Sequence, residues 1–210
     1  MGYQLVTAPT VEPLALADAK VHLRVETAMT DDDTLIGLLI TAARQYAEQR
    51  TMRSFCTQSW KYVLDSFPGG YSYPIAPYGT EFSLPSSGIL LEKGPIQSID
   101  SIKYLDMTGT QQTLANTVYV ADLTGPLARI TPKFGQIWPP TLPQIAAVEV
   151  AFTAGFGLAA AVPQSIKQWM LLRIGALYEN REEVVTGRSI MVTPMPFVDS
   201  LLAGVTIERA

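Results

Sequence analysis

Residues 33–64 read DTLIGLLITAARQYAEQRTMRSFCTQSWKYVL, and the spacing of the apolar residues changes partway along. Leu35, Ile36, Leu39, Ile40, Ala42, Ala43, Tyr46 and Ala47 recur at three- and four-residue intervals. That spacing predicts an amphipathic helix from about Asp33 to Arg53, with Thr41, Arg44 and Glu48 on the opposite, polar face. After Thr57 the period drops to two. Ser59, Lys61 and Val63 alternate with Trp60, Tyr62 and Leu64, as in a strand with one buried face.

Working outward, Thr30-Asp31-Asp32-Asp33 precedes the helix and predicts side-chain capping and negative charge at the positive end of its dipole. A calcium loop is the alternative, but the spaced ligands and closing Glu of an EF-hand are missing. Residues 1–13 read as an extended arm with Pro9 and Pro13, and Leu14 to Leu23 as a short helix. Downstream of the period change, ten of the fifteen prolines and nine of the fifteen glycines fall between residues 57 and 155. Strands are predicted at about 81–84, 89–92, 96–105, 113–120, 127–131 and 146–153, a small sandwich or barrel. Helical spacing returns after Pro163 through Ile166, Trp169, Met170, Ile174, Leu177 and Tyr178. Val184 to Met195 reads as a loop, Pro196 to Leu202 as a last short helix, and the rest as a tail.

The outer segments, residues 1–56 and 156–210, each carry too little apolar surface to fold alone. The expectation is therefore α+β: a discontinuous helical bundle, with residues 57–155 inserted as a small antiparallel β domain.

Composition narrows the function. Charged residues make up 16% of the 210 residues, against a usual ~25%, so part of the surface is expected to be covered in the working state. A net charge of −4 with scattered basic residues argues against a grip on nucleic acid through its phosphates. The lone Cys56 and lone His22 exclude a disulfide within the chain and His-pair or Cys-based metal sites. Cys56 reads as a buried structural thiol. No catalytic, cofactor or metal site is expected; an enzyme would have to rely on carboxylates such as Asp31, Asp32 or Asp65. The apolar run Ile145 to Val162 contains Glu149, Gly155 and Gly157 and reads as a strand and loop rather than a membrane span. The tyrosines from Tyr71 to Tyr78 support a second reading, a carbohydrate- or receptor-binding module.

Several segments together resemble one family. Glu12-Pro13-Leu14-Ala15-Leu16-Ala17-Asp18-Ala19-Lys20-Val21-His22-Leu23-Arg24-Val25 resembles the opening of head–tail connectors (adaptors) of tailed bacteriophages and gene transfer agents, and Asp32-Asp33-Thr34-Leu35-Ile36 continues the pattern. Gly135-Gln136-Ile137-Trp138-Pro139-Pro140 and Val148 to Gly157 are similar to its "WP" turn and following strand. Val162-Pro163, Ile166-Lys167-Gln168, Tyr178 to Glu182 and Val198 to Ala203 follow in order. Gly204-Val205-Thr206 departs from the family's usual ending.

The resemblance implies a non-enzymatic virion protein of the neck, assembled in the host cytoplasm. It implies a ring, commonly of twelve copies, bound beneath the portal protein and offering a surface to the stopper or tail-terminator protein. Double-stranded DNA would pass through its lumen without specific binding. By the same analogy Phe197, Leu201, Leu202 and Ile207 are the expected portal-docking residues. For Leu201 and Leu202, closing the helical core is an equal alternative. Lys167 and Arg173 sit at the edge of an apolar arc. They either snorkel or meet carboxylates of a neighbouring subunit.

Overall fold

A computed structural model describes residues 2–69, 88–180 and 196–207, with Pro196 and Phe197 described in backbone only. The tyrosine loop 71–78, the strand expected at 81–84 and the loop 184–195 lie outside the described residues. The chain divides into two compact units: residues 1–8 with 58–155, and residues 9–57 with 156–210.

The first unit is built of antiparallel sheet. One sheet has the order β1 (Gly2–Thr7), β2 (Gln58–Leu64), β8 (Val148–Ala154), β4 (Ile96–Leu105), β5 (Gln111–Thr113). The other has the order β3 (Ile89–Leu91), β7 (Ala128–Pro132), β6 (Tyr119–Asp122). Strand β8 shows how sequence alternation becomes packing. Val148, Val150, Phe152 and Ala154 are buried, while Glu149, Ala151 and Thr153 between them are half-exposed. Ile89, Leu91, Ala128 and Ile130 of the second sheet join Leu64, Ile102, Val150 and Phe152 of the first in one core. Burying each large side chain there contributes about 1.5–3 kcal/mol. The β4–β5 hairpin closes through Asp106, whose Oδ1 accepts from the Thr108 and Thr110 amides at 2.9 and 3.0 Å. Gly109 completes the turn at φ +81°, a conformation that favours glycine.

The second unit is helical: α1 (Leu16–Leu23), α2 (Asp33–Thr51), α3 (Gln164–Glu179) and α4 (Pro196–Ala203). Ile36, Ile40, Ala43 and Ala47 of α2 meet Ile166, Trp169, Met170 and Ile174 of α3, with Leu14, Ala19 and Leu202. The unit is entered and left side by side. The Phe156 amide donates to the Phe55 carbonyl at 2.8 Å and the Thr57 amide to the Gly157 carbonyl at 3.0 Å.

Four expectations need correction. Residues 2–7, placed with the helical segment as part of an extended arm, form β1 and pair with β2 from Gly2 opposite Val63 to Thr7 opposite Ser59. Tyr3 fixes them, stacking on Tyr62 at 4.4 Å between ring centroids. The strand expected at 113–120 is two strands, β5 and β6, separated at Ala115, whose carbonyl accepts from the Val118 amide at 3.1 Å. No side-chain capping bond forms at Asp32. Its carboxylate instead accepts from the Tyr178 hydroxyl, while Asp33 pairs with Lys20. Finally, the buried face of α2 is rotated from the expected one. Arg44 is buried, whereas Ala42 and Tyr46 are exposed.

Candidate functional site

The rotation of α2 has a chemical cause. Arg44 lies inside the helical unit because two carboxylates meet its guanidinium. Its Nε donates to Glu12 Oε2 at 2.7 Å, Nη2 to Glu12 Oε1 at 3.3 Å, and Nη1 to Glu48 Oε2 at 2.8 Å. Thr41 donates its hydroxyl to Glu12 Oε1 at 2.9 Å, and Glu48 Oε1 accepts from the Phe55 amide at 2.7 Å. Burial opposes the charge on Arg44, but its hydrogen bond to Glu12 and the charges of Glu48 and Glu12 outweigh it and hold the guanidinium pKa above its ordinary value. The network thus ties the entry segment at Glu12, the middle of α2 and the exit segment at Phe55 to one another.

A second buried cation organises the α1–α2 corner. Lys20, 3% exposed, donates Nζ to the carbonyls of Met29 and Thr27 at 2.6 and 3.3 Å and pairs with Asp33. An ammonium surrounded by three oxygens in this way fixes the turn before α2 in one conformation. Cys56 is fully buried. Burial, followed by the charges of Glu12 and Glu48, pushes its thiol up to about 11, which keeps it protonated at neutral pH.

Of the carboxylates an enzyme would need, Asp65 accepts from the Ala146 amide at 3.0 Å and Asp32 from Tyr178. Among the described residues no group of three or more His, Cys, Asp or Glu side chains could hold a metal ion. No described helix is long and apolar enough to cross a membrane.

The surfaces are more informative. On the helical unit Trp169, 2% exposed, stacks beneath Tyr46 at 5.8 Å, and the Arg173 guanidinium lies 5.3 Å above the same Tyr46 ring. The Trp169 indole N–H points to Asp199 Oδ1 at 3.5 Å, and Arg50 pairs with Asp199 Oδ2 at 2.9 Å. Arg173 therefore already has a cation–π partner in its own subunit. Lys167 is half-exposed on α3. On the β unit, Phe134, Ile137 and Ile145 are 106%, 83% and 85% exposed within a single loop.

Residues 14–102 match the model of the family described as Phage gp6-like head-tail connector protein. Over those residues the sequence is similar to that family. Similarity of fold extends further than the head–tail connector match in sequence. A chain from "Neck of empty GTA particle computed with C6 symmetry" superposes with a TM-score of 0.75 at 23% identity, covering 100% of this chain and 97% of that one. A chain from "Virion of native gene transfer agent (GTA) particle" gives 0.75 at 22% identity with the same coverage. A chain from "Neck of native GTA particle computed with C12 symmetry" gives 0.68 at 21%, again covering 100% and 97%. No curated protein matches the chain.

The residues expected to dock the portal have mixed placements. Leu202 is 1% exposed in the helical core, and Leu201 packs half-buried against it. Ile207, 9% exposed, donates its amide to the Thr51 carbonyl at 3.1 Å, a carbonyl at the end of α2 that the helix itself cannot satisfy. Arg53 holds the Val205 carbonyl beside it. The Phe197 side chain lies outside the described residues. Sequence reading missed Arg44 and Lys20, because their partners Glu12 and Asp33 become meaningful only once the helices are packed.

Proposed function

We propose that this chain is a head–tail adaptor of a phage or gene-transfer-agent particle: a structural virion protein forming a closed ring, of about twelve copies, under the portal. In this reading the ring prolongs the DNA channel and presents a surface to the stopper or tail terminator. The observation that carries it is the full-length likeness of fold to chains of gene transfer agent necks, together with the connector pattern over residues 14–102. The C12 symmetry with which one such neck was computed supports the copy number. A ring needs two different complementary patches per subunit. Sparse charge, 16% of residues, suits contacts that exclude water, and a net charge of −4 suits a lumen through which DNA slides.

The reading extends to the architecture. Apart from β1, which the chain's first residues supply, the β unit is an insertion, a small sandwich, between α2 and α3 of a helical bundle, and the helical unit is the ring-forming element. Lys167 and Arg173 face the neighbouring subunit. The portal is engaged by the C-terminal segment around Phe197 and Leu201, with Leu202 and Ile207 supporting it from within the core. Particles made without this chain should carry packaged heads and free tails, with joining restored by adding the purified protein. Tail joining that proceeds normally in its absence would rule the function out. A carbohydrate- or receptor-binding role would instead leave head–tail joining intact and abolish attachment to cells.

A further inference from the structure

The loop after β7 exposes its largest apolar side chains while being held firmly in shape. Between Pro132 and Ala147 the sequence PKFGQIWPPTLPQIAA contains four prolines and a single charge, Lys133. The loop is tied down along its length. The Lys133 amide donates to the Val118 carbonyl at 2.9 Å, the Gln136 amide to the Lys133 carbonyl at 2.9 Å, and the Leu142 amide to the Leu105 carbonyl at 3.0 Å. Trp138 stacks on Phe67 at 4.7 Å, and the Ala146 amide binds Asp65. Yet Phe134 and Ile137, on the tight turn that Gly135 makes at φ +78°, are 106% and 83% exposed. Apolar side chains carried on a backbone tied down in this way are partly pre-organised for burial against a partner, since the backbone has little ordering entropy left to lose.

The same chain carries a surface of matching character. At the α1–α2 corner, Val21 and Met29 are 73% and 50% exposed, and the same stretch of chain carries exposed Asp18, Glu26 and Asp31 against one exposed cation, Arg24. Lys20 holds this corner in shape from beneath. An apolar spot with an acidic rim complements an apolar loop whose only charge is a lysine.

We propose that the Lys133–Ile137 loop of one copy docks on the Val21–Met29 corner of the next copy, Lys133 meeting the acidic rim. This inference rests on the ring reading and gives it one head-to-tail contact: two unlike patches on one chain, so that each copy gives and receives.

The test uses neighbouring copies in the assembled neck, with Ile137→Cys carried by one batch of protein and Met29→Cys by another. Cys56, buried and protonated, leaves the rest of the chain quiet to thiol reagents. Rings assembled on portal-bearing heads from a mixture of the two should yield a covalent dimer on oxidation, and rings from either batch alone should not. In parallel, Phe134→Ser with Ile137→Ser should leave the melting temperature unchanged and weaken subunit association by about a hundredfold or more. Lys133→Glu should weaken it too, and Asp31→Lys should restore it in that background. Rings that form without the mixed cross-link, or that tolerate Phe134→Ser with Ile137→Ser, overturn this contact while leaving the adaptor function standing. Heads that bind the unaltered protein only as single copies overturn both.

Discussion

Replacing Arg44 with Met removes the one cation shared by Glu12 and Glu48 while keeping a side chain of similar length. The Arg44 side chain is 7% exposed, Glu48 is 12% exposed and Glu12 is 29% exposed. Removing one member of a buried ionic group costs about 3–5 kcal/mol, because the remaining charges stay desolvated and uncompensated. Glu12 reaches water and recovers part of its hydration, so the lower end, about 3 kcal/mol, applies here. For a chain of this size that corresponds to a melting temperature lower by about 6–12 °C. Calorimetry gives the size of the loss. Hydrogen exchange then places it, with faster exchange in α2 and at the Phe55 amide and unchanged exchange in β2, β4 and β8. Arg44→Lys should recover only part of the loss, since an ammonium cannot reproduce the fork that meets both carboxylates. Adding Glu12→Gln and Glu48→Gln to Arg44→Met should raise stability again by removing the stranded charges. A drop below about 2 °C for Arg44→Met, against the ~2–4 °C per kcal/mol expected at this size, would refute the network as the reason for the helix's rotation.

Trp169→Ala should cost about 3–5 kcal/mol and release Tyr46 and Arg173 from their stack, seen as lower stability with altered near-ultraviolet dichroism. Cys56 should resist a thiol reagent at pH 7–8 in the native protein and react at once in denaturant; rapid native labelling would contradict its burial and its raised pKa of about 11. The Asp106 carboxyl is drawn down to about 2, first by the Thr108 hydroxyl and then by Gln112 and the Thr110 amide. Its contribution to the β4–β5 turn is therefore complete above the ordinary carboxyl range of about 3.9 and is lost as pH falls through about 2. A carboxyl resonance titrating near the ordinary value would contradict the turn geometry. Truncation after Gly204 removes the buried Ile207 and the bonds to Thr51 and Arg53, so it should lower the stability of the helical unit as well as weaken portal attachment. Full attachment by a truncated and equally stable subunit would count against both roles of that segment.

How much was legible in the sequence depended on how far apart the deciding partners lie. The change of period at Thr57 marked the end of α2 and the start of β2, because both patterns are local and long enough to average over exceptions. The alternation of Val148, Val150 and Phe152 likewise identified β8. Arg44 was misplaced for the opposite reason. A lone arginine on a helix reads as solvent-facing until Glu12, 32 residues away, is brought beside it. Strand β1 was missed because an exposed six-residue edge strand with no charge and little alternation carries no pattern of its own, and its partner β2 begins more than fifty residues later. The break between β5 and β6 did leave a signal: Asn116 and Thr117 are turn residues inside an otherwise strand-like run. The sequence marks Gly135 to Pro140 only as a family turn and says nothing of Phe134, since sequence alone does not separate an apolar residue in a core from one held in water.

Imaging of the neck at the portal vertex, with and without imposed symmetry, tests the central claim most directly. The account predicts a closed ring of this chain, about twelve copies around an open axial channel, in contact with the portal on one side and tail components on the other. The chain found as isolated copies at the particle periphery, with the portal joined directly to the tail, would contradict it.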